Sequence, residues 1–239
     1  EFRRVLFRSK QRDWSNFSRV HSQFRMRDDK SVTCYALLAD AVQGRGAPNV
    51  GQQVRDLWLA QKDADDGCTT AAGQLYANKL ITDADVWRRA RVATEANRQK
   101  AARDAVAIVA PEAVDQVAQV FASPAKYLAG QSKARGRERK ELALLALIRM
   151  AASDPDAAAT QVDGGWGAQL NGEERNWAWG VIGKSAAQKL SGSAHGYFSN
   201  VTRNSHLNDD LLGWKVRAAL RAGQWKAVRN VVDAMGDRK

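Results

Sequence analysis

The sequence predicts an all-α fold, a superhelix (solenoid) of antiparallel α-hairpins built from degenerate helical repeats. Three observations carry that expectation. Alanine is abundant and clusters of β-branched residues are few, so local propensity favours helix. Apolar residues recur at helical spacing along most of the chain. The breaks between these stretches are short and rich in turn or cap residues: Gly44-Arg45-Gly46, Asp65-Asp66-Gly67, Ser123-Pro124, Asp154-Pro155 and Ala222-Gly223. No parallel-sheet pattern and no hairpin-strand signal competes with this reading.

The elements follow in order. Glu1 to Ser9 reads EFRRVLFRS, basic and apolar, with no helix cap. Arg8 interrupts Val5-Leu6-Phe7, so the stretch lacks the apolar run of a signal peptide. We read it as a non-native scar at the edge of a fragment, with a basic amphipathic arm as the alternative. That reading puts the native amino terminus upstream. Val54, Leu57 and Trp58 fall at i, i+3, i+4 in a segment that Asn49 can cap. Pro111 suits a helix start, and Val114, Val117, Val120 and Phe121 follow it on one stripe. Residues 130–140, GQSKARGRERK, form a polar basic gap, a loop ahead of a long helix and a candidate break between two lobes. Leu142 to Met150 is apolar nearly all round and should be buried between neighbours. In the last hairpin Asn208 or Asp209 caps a helix carrying Leu212, Val216, Ala219 and Leu220. Gly223 then takes a left-handed turn and Trp225 wedges between the two helices. Val228, Val231, Val232 and Met235 complete the pattern. There is no strict repeat period.

Composition narrows the classes. The chain has 239 residues and a formal net charge of +11, so an anionic partner fits: nucleic acid, a membrane surface or an acidic polymer. No apolar run reaches the roughly 18–20 residues that span a bilayer. Two cysteines exclude a four-cysteine metal site, and the three histidines, His21, His195 and His206, form no ligand pair. The sequence implies no metal and no organic cofactor.

Chemistry is sparse. There is no GxSxG elbow, no phosphate-binding glycine loop and no dinucleotide fingerprint. Glu173-Glu174 and Asp209-Asp210 are adjacent acids that point about 100° apart on a helix and do not converge on one bond. Glu173-Glu174 instead suits a helix start, where negative charge meets the dipole. No catalytic residue can be named. Of eight tryptophans, most should pack between helices, Trp58 and Trp225 among them. Trp177 and Trp179 lie two apart and cannot share a face, so one of them is a candidate to reach solvent or a groove and stack on a sugar ring or a base. Arg88, Arg89 and Arg91 begin a basic run that continues to Arg103, by default a solvated face and otherwise a lining for an acidic polymer. No signature supports nucleic acid. Cys34 and Cys68 each sit on a helix-like segment. They are either small reduced core residues or a disulfide; a bridge would imply an oxidising compartment.

The order of segments carries a resemblance. The stretch RDWSNF…DDKSVTCYALLADAVQGR…VRDLWLAQKDADDGCTTAAGQLYANKLITDADVWRRARVATEANRQKAARDAVAIV is similar to the non-catalytic superhelical region of soluble lytic murein transglycosylases. RERKELALLALIRMAASDPDAAATQV, NGEERNWAWGVIGKSAAQKL and LLGWKVRAALRAGQWKAVRNVVDAM continue it, so that it covers roughly residues 11–236. The resemblance implies a linked Cys34–Cys68 pair and a periplasmic location. It implies peptidoglycan glycan strands as partner, cleaved in the parent enzyme between N-acetylmuramic acid and N-acetylglucosamine with a 1,6-anhydro product. The family's lysozyme-like catalytic domain lies carboxyl-terminal to the superhelix, and its motifs are absent here. The expectation is therefore a scaffold domain over 10–239 that binds or orients glycan, packs against its own catalytic domain in the full protein, and is inactive alone. The alternative is a helical-repeat protein-interaction module; a cytoplasmic RNA-binding solenoid is a third reading.

Overall fold

The computed structural model describes residues 13–24, 28–131 and 136–236. The Glu1–Ser9 stretch lies outside them. The described residues are helical throughout, with no strand among them, as the composition and periodicity require. They fall into two compact units, Glu1–Val114 and Asp115–Lys239. The division therefore precedes the 130–140 gap, whose residues 132–135 lie outside the described residues.

The amino-terminal unit contains α1 (Trp14–His21), α2 (Lys30–Val42), α3 (Val50–Leu59), α4 (Asp66–Ala77), α5 (Asp83–Glu95) and α6 (Gln99–Val109), then a tight turn at Pro111–Ala113. Four of the helix starts are written in the sequence as caps. The side chains of Asp13, Asp29, Asp65 and Thr82 each accept a hydrogen bond from the backbone N–H three residues on, and each such cap contributes about 1 kcal/mol. Asn49 stands at the cap position of α3, but its Oδ1 accepts from the Gln53 amide at 2.9 Å instead of from the backbone. α1 packs on α2, α2 on α4, α3 on α4 and α5, and α5 on α6. Phe17, Val32, Tyr35 and Ala39 form one buried cluster, with Trp14, Val20 and Phe24 against it.

The carboxyl-terminal unit contains α7 (Val114–Ala122), α8 (Pro124–Ala129), α9 (Arg137–Ser153), α10 (Pro155–Gln161), a wide π-type turn at Val162–Trp166, α11 (Gly167–Gln169), α12 (Gly172–Gln188), α13 (Ala194–Ser199), a short turn at Asn204–His206, α14 (Asp209–Arg221) and α15 (Trp225–Gly236). Arg137, Arg139 and Lys140 thus belong to the first turn of α9, not to the loop before it. Leu142 to Ile148 are buried on every side, as their unbroken apolarity predicts. α12 is the axis of this unit, covered by α9, α10, α13 and α14.

Five helices end alike among the described residues. One residue turns left-handed, at Gly44, Lys79, Asn97, Leu190 and Gly223. The next N–H then reaches back five residues: Arg45 to Asp40, Leu80 to Leu75, Arg98 to Ala93, Ser191 to Ala186 and Gln224 to Ala219, all within 2.8–2.9 Å. This closure satisfies the last carbonyls and reverses the chain in three or four residues. Gly44 and Gly223 adopt the conformation freely and Asn97 tolerates it; Lys79 and Leu190 carry a steric cost of about 1 kcal/mol.

Candidate functional site

Cys34 on α2 and Cys68 on α4 form a disulfide across a Cα–Cα distance of 4.9 Å. Two helices come this close only if the residues between them are small. Ala71 and Ala72 are fully buried on α4, and a Cβ on Gly67 would run into the Ser31 carbonyl oxygen. The Gly67 N–H donates to Ser31 Oγ at 3.1 Å, and Tyr35 donates its hydroxyl to Asp66 at 2.8 Å. Sequence and packing therefore prepare the bridge.

The α5 part of the arginine run does not form the open face that its charge suggests, whereas Arg98, Lys100 and Arg103 are exposed. On α5, Arg89 is 1% exposed and Arg91 2%, while Arg88 is half-buried. The Arg89 guanidinium donates to the Gln61 carbonyl and, at 2.7 Å, to the Asp63 carbonyl, and it lies 5.7 Å over the Trp58 ring. Burial lowers its pKa to about 10, against the opposing pull of Asp65, Asp104 and Asp63. Arg89 thus fastens the 60–65 connection to α5 and is not presented to a glycan. α5 is sandwiched between α3 and α6, which is why two of its three arginines point inward.

The tryptophans need a similar correction. Trp177 and Trp179 do lie on opposite faces of α12, but both are buried, at 0% and 4% exposure. Neither reaches a groove, because helices cover both faces of α12. Trp179 stacks on Tyr197 with ring centroids 6.0 Å apart. A Cβ on Gly183 would stand 2.7 Å from the Phe198 ring, so glycine is what lets α13 seat against α12. Glu174 closes a capping box with Asn171, its carboxylate accepting the Asn171 N–H at 2.8 Å. The Glu173-Glu174 pair is a helix start, as its position predicts. Trp58 is buried as expected, whereas Trp225 is 70% exposed. At 100° per residue Trp225 falls about 120° away from Val231, the buried residue of α15.

The open space in the carboxyl-terminal unit includes two cavities that share His195. One, of about 410 Å³, is lined by Leu190, Ala194, Trp214, Arg217 and Arg221 among others, with the Arg217 guanidinium 5.1 Å over the Trp214 ring. The other, of about 370 Å³, is lined by Ser199, Thr202, Asn204, Lys215 and Asn230 among others. Lys215 donates to Asn204 Oδ1 at 2.9 Å, and burial holds its pKa below the ordinary lysine value. Sequence reasoning missed this group. The available signal was a lysine placed at i+4 from Leu211 and three before Ala218, on the buried side of its helix. Among the described residues no group of three or more His, Cys, Asp or Glu side chains could hold a metal ion. No helix among them is long and apolar enough to cross a membrane.

Comparison with known proteins adds the fold. No known family matches the sequence, and no curated protein matches it. Among solved structures, the chain is similar to an inactive mutant of the lytic transglycosylase Slt from Pseudomonas aeruginosa, at 21% identity and a TM-score of 0.61. The alignment covers 96% of this chain and 38% of that one. At that identity the likeness is one of fold.

Proposed function

We propose that this chain is the helical scaffold of a peptidoglycan-active protein of the lytic transglycosylase kind, with residues 10–239 binding or orienting glycan strands. The observation that carries the reading is the fold likeness to Slt over 96% of the chain. Two features support it. The Cys34–Cys68 disulfide suits an oxidising compartment such as the periplasm. The net charge of +11 suits a polymer whose stem peptides carry carboxylates. In this reading the chain cleaves no glycosidic bond by itself, and the lyase chemistry belongs to a catalytic domain acting beside it. Co-sedimentation with purified peptidoglycan sacculi tests it, alongside an assay for released 1,6-anhydro-muropeptides. Retention in the pellet without release is the expected result. Absence of retention would overturn the glycan-binding role.

A second reading, a protein-docking module, draws on a different observation. Trp225 is 70% exposed and Val232 51% on α15, with Leu220 43% exposed on the preceding helix. Such apolar exposure is what a protein partner covers. Copurification of a specific partner lost with Trp225→Ser, together with failure to bind sacculi, would favour it.

A further inference from the structure

The cavity of about 370 Å³ in the carboxyl-terminal unit is built around a cation without a counter-ion. Lys215 lies on α14 with its ammonium half-buried, and among the described residues no carboxylate stands within ion-pair distance of it. An ammonium has three N–H donors, and one goes to Asn204 Oδ1 at 2.9 Å. No other described group accepts from the rest. His195 and the exposed Asn230, from α15, line the same cavity. Ser199 and Thr202 are already committed: the Ser199 hydroxyl donates to the His195 carbonyl at 2.9 Å, and Thr202 is held by Asn176. The remainder of the wall is short and apolar, from Val201, Ala219 and Ala227.

A half-buried cation with no carboxylate beside it favours an anionic occupant of the space it faces. One positive charge matches a monoanion better than a phosphate dianion. The side-chain amide of Asn230 offers both a donor and an acceptor to a peptide bond, and the small apolar wall matches short side chains. The volume lies at the lower end of the range for ligand sites, about the size of a short peptide end. The geometry points to a binding site for the carboxylate end of a short peptide, with Lys215 receiving the carboxylate and Asn230 the adjacent amide. Peptidoglycan stem peptides carry such carboxylates, so the site deepens the reading above if both hold. A soluble probe keeps the two separable.

The test is a titration of the whole ¹⁵N-labelled chain, followed through its amide resonances, with N-acetyl-alanyl-alanine, its carboxamide, acetate and inorganic phosphate. The free acid should shift the resonances of Thr202, Asn204, Ala219 and Asn230. The carboxamide should bind at least about tenfold more weakly. Lys215→Gln, which keeps a donor for Asn204 but removes the charge, should weaken the acid by a similar factor. Asn230→Ala, on the cavity rim, should weaken it while leaving the fold intact. Equal binding of acid and carboxamide, or no shift with either, would overturn the assignment. Phosphate or acetate binding as tightly as the peptide would overturn the peptide reading. Loss of sacculus binding with peptide binding retained would count against the glycan role alone.

Discussion

The two units of this chain solve the problem of holding short helices together by different means. The amino-terminal unit is tied by directed bonds: a disulfide between α2 and α4 and a buried arginine clamping the 60–65 connection. The carboxyl-terminal unit is held by packing around one buried helix, α12, with Trp177 and Trp179 inside and Gly183 allowing close approach. Its two cavities, which share His195, are lined by residues of α12, α13, α14 and α15. A unit fixed by bonds can be broken one bond at a time. A unit fixed by packing fails when its axis is hollowed, and it leaves room for a ligand where helices meet imperfectly.

That comparison can be broken at its strongest points first. Trp177→Ala removes a fully buried indole from α12 and should cost about 3–5 kcal/mol in denaturant unfolding. Cys34→Ala should cost about 3–4 kcal/mol in oxidised protein, from the loop of 34 residues that the bridge closes, and almost nothing in reduced protein. Equal losses under both conditions would mean that the site matters as packing alone. Arg89→Met keeps the stem but strands the Gln61 and Asp63 carbonyls, and should cost about 2–3 kcal/mol with faster hydrogen exchange confined to residues 60–65. Leu190→Gly should stabilise the chain by up to about 1 kcal/mol, since Leu190 is 65% exposed and held at a φ of 58°. A loss instead would show that Leu190 contributes packing at the cavity it borders.

The pH dependence offers a finer probe of the carboxyl-terminal unit. Tyr127 donates to Gln116 at 3.0 Å, and burial, with Glu138 nearby, raises its pKa from 10.0 to about 12. A raised pKa means that the neutral form is favoured in the fold. Its contribution is complete below pH 10 and is lost as pH rises toward 12. Tyr127→Phe should flatten that part of the stability profile and, by removing the bond to Gln116, cost about 1 kcal/mol in the neutral range.

Much of the fold was legible in the sequence. Asp154-Pro155 reads as a cap followed by a first-turn proline, and Asp154 accepts the Ala157 N–H at 2.9 Å. The apolar run from Leu142 marks a buried helix, and Asn208, not Asp209, caps α14. The left-handed ends at Gly44 and Gly223 were readable because glycine announces them; those at Lys79 and Leu190 were not, because the local closing hydrogen bonds put residues there that give no such signal, and Asn97 gives only a weaker one. The site was less legible. Burial of Arg89, Arg91 and Trp179 depends on helices that arrive from elsewhere in the chain, and periodicity within one helix does not report which neighbours cover its second face. The cavity at Lys215 gathers residues from His195 to Val231 across four elements, and no motif spacing joins them.

Peptidoglycan binding, the role proposed for this chain, is tested by co-sedimentation of the intact oxidised chain with sacculi across a salt series, with muramidase-solubilised sacculi as competitor. The account predicts retention at low salt that weakens as salt screens the basic chain, and release by the soluble competitor. A chain that stays in the supernatant at every salt concentration would contradict it.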